Sequence, residues 1–195
     1  MSKSEKSRNI LFHITGSISA FKSASLASML VRSGYEVQCS MSAGGLKFLG
    51  EATLNGITGR KVLTDMWEGY PDYVPHITIA GDWADFILVY PASANTIGRL
   101  AAGLADDFFG ALFLANNGTC PVWIAPAMNS NMFAHPAVQK NLKILESFGC
   151  RILPTGEGRM ACGTEGQGRL IEPEDAFKLI NEYFSSENKP GEKRT

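Results

Sequence analysis

NILFHITGSISAFKSASLASMLVRSGYEVQCSM, residues 9–41, decides the architecture. Its opening, residues 9–15, is a short apolar run of strand length. Residues 16–19 are small and make a tight turn. Residues 20–33 carry apolar side chains at helical spacing and stop at Gly34, a natural C-terminal punctuation. A second strand-like run follows at 35–41. Strand, helix and strand in this order form a β-α-β unit, which implies parallel pairing through a right-handed crossover.

The same alternation continues along the chain. Residues 84–90 and 121–125 read as buried strands and 150–153 as a short one. Helical spacing covers 94–104, 108–114, 136–148 and 172–183, with shorter helices expected at 45–54 and 59–63. Residues 75–79 read as a short extended piece. Residues 155–168 hold five glycines and read as a mobile loop. The sum is an α/β doubly wound parallel sheet with helices on both faces. It forms a single domain over residues 9–184, between polar tails at 1–8 and 185–195.

Composition narrows the function. The chain has 195 residues, 45% of them hydrophobic, and a net charge of -1. That is an ordinary globular balance, with no electrostatic footprint for nucleic acid or an anionic membrane. No apolar run is long enough to span a bilayer. The first residues are polar with no apolar stretch and cleavage site after them, so no signal peptide is expected. Cys39, Cys120, Cys150 and Cys162 are scattered without a C-x-x-C pair. This argues against a zinc ribbon or a disulfide scaffold and for a reducing cytoplasm.

In doubly wound sheets, ligands bind beyond the carboxyl ends of the strands. The loops there are 16–19, 40–43, 91–96, 126–132 and 155–168, and every unusual cluster falls in one of them. GSISA at 16–20 places backbone amides and two hydroxyls at a helix start, a cradle for one phosphate; Ser17 serves equally well as a helix cap. The turn is neither a dinucleotide fingerprint nor a P-loop. PASANT at 91–96 offers small residues for close approach of a planar ligand, with Ser93, Asn95 and Thr96 as hydrogen-bonding groups, and reads also as a cap cluster. PAMNSNM at 126–132 sets an asparagine amide between methionines. His76 is a candidate acid or base because imidazole changes charge nearest neutrality; His13 and His135 read as structural. MACG at 160–163 puts Cys162 in the glycine-rich loop, the setting of a functional thiol.

These pieces, with HITIA at 76–80, WAD at 83–85, ACG at 161–163 and GRL at 168–170, resemble the family of homo-oligomeric flavin-containing cysteine decarboxylases. The resemblance runs from about residue 8 to 183 and is strongest to members that act on phosphopantothenoylcysteine. It implies a flavodoxin-like or Rossmann-like domain with FMN as cofactor. It also implies a trimer or an assembly of trimers, with the flavin at a subunit interface. By position, Gly16, Ser17 and Ile18 would hold the FMN phosphate. Ser42, Ser93, Ala94, Asn95, Thr96, Ala127 and Met128 would line the flavin. His76 would be the base, Asn129 the group holding the substrate carboxylate, and Cys162 the proton donor of a final reductive step. Met132, Ala161 and Gly163 would contact substrate within a closing clamp. The implied reaction is flavin oxidation to a thioaldehyde, loss of CO2 and re-reduction to an aminoethanethiol. A peptidyl-cysteine decarboxylase and a non-catalytic flavin-binding or regulatory subunit are the alternatives. The ligase that joins cysteine to phosphopantothenate is expected on a separate protein.

Overall fold

Alternate residues of a strand face opposite sides of its sheet, and the first strand, β1 (Asn9–Ile14), feeds two cores in this way. Ile10, Phe12 and Ile14 enter one core and Leu11 the other. The computed structural model describes residues 8–67, 74–116, 118, 120–159 and 165–187. β2 (Glu36–Met41), β3 (Phe86–Ala92), β4 (Val122–Pro126) and β5 (Arg151–Ile152) complete a parallel sheet of order β2-β1-β3-β4-β5. β3 and β4 are buried along their whole length, as a sheet covered on both faces requires.

Helices α1 (Phe21–Arg32), α2 (Glu51–Thr58) and α8 (Pro173–Glu187) cover one face, burying Leu26, Leu30, Leu54, Ile180 and Phe184. Helices α4 (Ala94–Ala101), α5 (Phe108–Asn116) and α7 (Pro136–Ser147) cover the other, burying Ile97, Leu100, Phe109, Leu112 and Leu145. The strand order reverses between β1 and β3, and this switch point opens a crevice at their carboxyl ends. Among the described residues no helix is long and apolar enough to cross a membrane.

Four local readings are corrected. Residues 75–79 are helical: α3 (Pro75–Thr78) runs into a π-helical turn at Ile79–Trp83. Proline suits a first helical position, and Ile79 and Ala80 bury against the α5 core, which outweighs the β-branched run that looked extended. Residues 59–63 form no helix. Gly59, at φ 67°, ends α2, and Leu63 pairs with Ser40 as an isolated bridge at the sheet edge. A short helix, α6 (Ser130–Ala134), stands where only a loop was expected. The glycine-rich stretch is not all loop: β6 (Gly156–Arg159) pairs antiparallel with β7 (Glu165–Arg169). Gly166 and Gly168 take positive φ within this pairing, and its register shifts between Gly156 and Glu157.

His13 lies under the sheet with its ring stacked 3.9 Å from Phe109 and Nδ1 2.9 Å from Ser40 Oγ. Burial pushes its pKa from 6.5 to about 3. The folded state therefore holds His13 neutral while the unfolded chain protonates near 6.5. The stability this confers is complete above that pH and is lost as pH falls toward 3. Between pH 6.5 and 4 the wild type should lose about 1 kcal/mol per pH unit more than His13→Gln, measured by urea unfolding.

Candidate active site

Two loops at the switch point are tied together by Thr15, the residue just past β1. Its hydroxyl donates to Pro91 O at 2.7 Å and accepts from Ser93 N–H at 2.8 Å, and its own N–H reaches Pro91 O at 3.3 Å. Ser23 adds a bond from its hydroxyl to Tyr90 O at 2.8 Å. The Tyr90–Pro91 peptide is cis. Gly16 passes Gly44 so closely that a Cβ on Gly16 would sit 3.2 Å from the Gly44 backbone. Together these contacts fix the mouth of a cleft of about 470 Å³, within the range of small-molecule sites.

The cap reading of the turn holds, and the turn also faces the cleft. Ser17 Oγ accepts from Ser19 N–H at 3.3 Å, capping the helical start, and residues 16–19 line the cleft. Ser93 behaves the same way, its Oγ accepting from Thr96 N–H while it faces the cleft with Ala94. The third wall is the 126–132 loop. Ala127 N–H donates to Ala92 O at 3.0 Å and Met128 N–H to Gly168 O at 2.9 Å. Asn129 Oδ1 accepts from Asn131 N–H at 2.9 Å, which orients the carboxamide.

Of the residues singled out in the sequence, Gly16, Ser17, Ile18, Ser93, Ala94, Ala127, Met128, Asn129 and Met132 line this one cleft. Thr96 is buried beneath it, bonded to Ser93, and Asn95 is exposed. Ser42 accepts from Gly45 N–H at 3.1 Å and shapes the loop that carries Gly44. His76 stands on α3, packed with α5, and does not line the cleft of its own chain. Its Nδ1 is buried with no hydrogen-bond partner among the described residues. Ala161, Cys162 and Gly163 lie outside the described residues. The other three cysteines are core residues. Burial pushes their thiols up to about 12 at Cys39 and Cys120 and about 11 at Cys150, which makes them poor nucleophiles.

Sequence reasoning missed Thr15, Lys22 and Phe48, and quoted Gly168 and Arg169 within the GRL motif without giving either a role. Phe48, Lys22 and Arg169 line the cleft, but a lone aromatic or lysine beside a turn carries no pattern. A second cavity, about 500 Å³, lies between the hairpin and α8. It is the less suitable site, because none of the strand-end loops of the main sheet before β5 reaches it.

Gly168 joins the hairpin to the asparagine loop. At φ 114° it occupies backbone that favours glycine, and a Cβ there would fall 2.6 Å from Met128 O and 3.1 Å from Phe133 Cβ. Gly34, at φ 86°, has nothing within 4 Å. Gly168→Ala should destabilise by about 1–3 kcal/mol more than Gly34→Ala in urea unfolding, strain alone acting at Gly34. Equal losses would show that the hairpin does not hold this loop.

Comparison with known proteins agrees with this geometry. The flavoprotein family model matches residues 1–185. The chain is 42% identical over 181 residues to the coenzyme A biosynthesis bifunctional protein CoaBC of Bacillus subtilis, covering 92% of this chain and 44% of that protein. It thus spans less than half the length of that relative. Among solved structures, a PPC decarboxylase variant complexed with pantothenoylaminoethenethiol matches with a TM-score of 0.82 and 28% identity, over 92% of this chain and 100% of the other. The FMN-dependent cysteine decarboxylase SpaF matches with a TM-score of 0.77 and 29% identity, over 91% and 97%. This chain belongs to the flavoprotein family.

Proposed function

We propose that the chain binds FMN in this cleft and decarboxylates the cysteine moiety of 4'-phosphopantothenoylcysteine to give 4'-phosphopantetheine, a step of coenzyme A biosynthesis in the cytoplasm. The observation that carries the reading is convergence. One cleft at the switch point collects the 16–19 turn, the small residues Ser93 and Ala94, and the asparagine of the 126–132 loop. The names of the relatives described above support the same reaction class.

Amides at the start of the first helix and the Ser17 hydroxyl suit a single phosphate. Ser93, Ala94 and Met128 suit a planar ring that needs close approach. A flavin supplies reversible hydride acceptance, the step no side chain can perform. The remaining work falls to this chain's own residues. The Asn129 carboxamide donates to the substrate carboxylate and holds it in one orientation. His76 accepts a proton from the substrate. Cys162 returns a proton to the carbon skeleton after CO2 has left.

His76 and Asn129 act together only if two copies share a site. His76 is absent from the lining of its own cleft but stands beside α5. That helix, FFGALFLAN, is apolar on every side, yet Leu114 is 49% exposed. A helix apolar all round belongs in a buried setting. Packing this face against a second copy in a trimer, or an assembly of trimers, would carry His76 to the neighbour's cleft.

The test is turnover of 4'-phosphopantothenoylcysteine followed by product mass. Wild type should form 4'-phosphopantetheine, and Cys162→Ser a product two hydrogens lighter. His76→Asn and Asn129→Asp should each lose activity. Co-expressed, they should recover up to about a quarter of wild-type turnover, as random mixing in a closed oligomer allows. Absence of recovery would place both groups in one chain. Failure of wild type on this substrate, with turnover of a peptide ending in cysteine, would move the reading to the peptide alternative.

A further inference from the structure

Among the described residues that line the cleft, two carry positive charge: Lys22 on α1 and Arg169 on β7. Lys22 is committed. Its Nζ donates to both oxygens of Glu172, at 2.8 and 2.7 Å, and its side chain is 16% exposed. Arg169 is not. Only Nη2 is engaged, with Glu172 Oε1 at 2.8 Å; Nε and Nη1 have no partner among the described residues, and the side chain is 42% exposed. The lysine's hydrogen bond holds the Glu172 carboxyl below its ordinary pKa, so it stays ionised and anchors both cations. Two cations against one carboxylate leave these three side chains net positive, with the Arg169 fork anchored at one corner on the wall shared by the cleft and the second cavity. A fork of this kind matches a phosphate better than a single carboxylate or a neutral amide.

We propose that Arg169 is a specificity residue that receives the phosphate of the substrate, with Glu172 holding its guanidinium in place. The inference rests on the proposed function. A substrate with a carboxylate at one end and a phosphate at the other would be held at both, by Asn129 and by Arg169. The cofactor phosphate is the competing source of the same chemistry, but residues 16–19 already provide its seat. Arg169 stands instead on the hairpin, next to Gly168, whose carbonyl accepts from the N–H of Met128 beside Asn129. A cysteine peptide has no phosphate, so this contact would separate the two substrate classes.

The test compares flavin-loaded wild type, Arg169→Gln and Arg169→Lys. Substrates are 4'-phosphopantothenoylcysteine and the same compound without its phosphate, and product affinity is read by calorimetry with 4'-phosphopantetheine against pantetheine. Arg169→Gln should raise KM for the phosphorylated substrate, and Kd for the phosphorylated product, about tenfold to a hundredfold, the range for a charged hydrogen bond. KM for the unphosphorylated substrate, kcat and FMN affinity should not move, and Arg169→Lys should fall between. Equal effects on both substrates, or none, overturn the proposal while leaving the decarboxylase reading intact. Weakened FMN binding with unchanged substrate preference assigns Arg169 to the cofactor and also overturns it. If wild type turns over neither compound, the functional reading fails and this inference with it.

Discussion

The Thr15 hydroxyl joins the carboxyl ends of β1 and β3, and the site exists because of that join. One oxygen donates to Pro91 O and accepts from Ser93 N–H across 76 and 78 positions of sequence. Thr15 is fully buried, so its hydroxyl has no water as a substitute partner. Removing the hydroxyl would leave the Ser93 amide without its partner and Pro91 O with only the longer bond from Thr15 N–H, at a cost of about 1–3 kcal/mol for such a group. The bond also fixes where Gly16 starts and where Ser93 faces, and so sets the distance between the 16–19 turn and the small-residue wall. Gly16 against Gly44, and Ser23 on Tyr90 O, reinforce the same corner.

The rest of the site hangs from that corner by backbone contacts. Ala127 N–H reaches Ala92 O, and Met128 N–H reaches Gly168 O. The asparagine loop is thus bound to β3 on one side and to the hairpin on the other. Glu172 ties the hairpin's Arg169 to Lys22 on α1 through a shared carboxylate. A pull on the hairpin therefore reaches both the asparagine loop and the helix that follows the 16–19 turn. This is a suitable arrangement for a segment expected to close over substrate.

What could be read from sequence divides along physical lines. The β-α-β opening was legible because strand and helix periodicities are local, and burial on both faces follows from runs such as FILVY at 86–90. The cleft loops were legible because strand-end position is a topological rule. Thr15 and Ser23 were not, nor was the contact of Gly168 with Met128, since the partners lie far along the chain and no spacing pairs them. The helical 75–79 stretch was misread because tertiary burial of Ile79 and Ala80 outweighs the local preference of Ile-Thr-Ile. The hairpin was misread because glycines at positive φ serve a strand pair as readily as a loop. The separation of His76 from the cleft is likewise a property of packing on α5, invisible to a motif.

FMN affinity of Thr15→Val beside Thr15→Ser, followed by quenching of flavin fluorescence, tests the clasp most directly. Valine keeps the shape and deletes both hydrogen bonds, whereas serine keeps the oxygen. The expected result is a loss of about tenfold or more in affinity for valine, 1.4 kcal/mol being tenfold, with serine near wild type. Wild-type affinity in a folded Thr15→Val protein would contradict the claim that this join makes the cofactor seat.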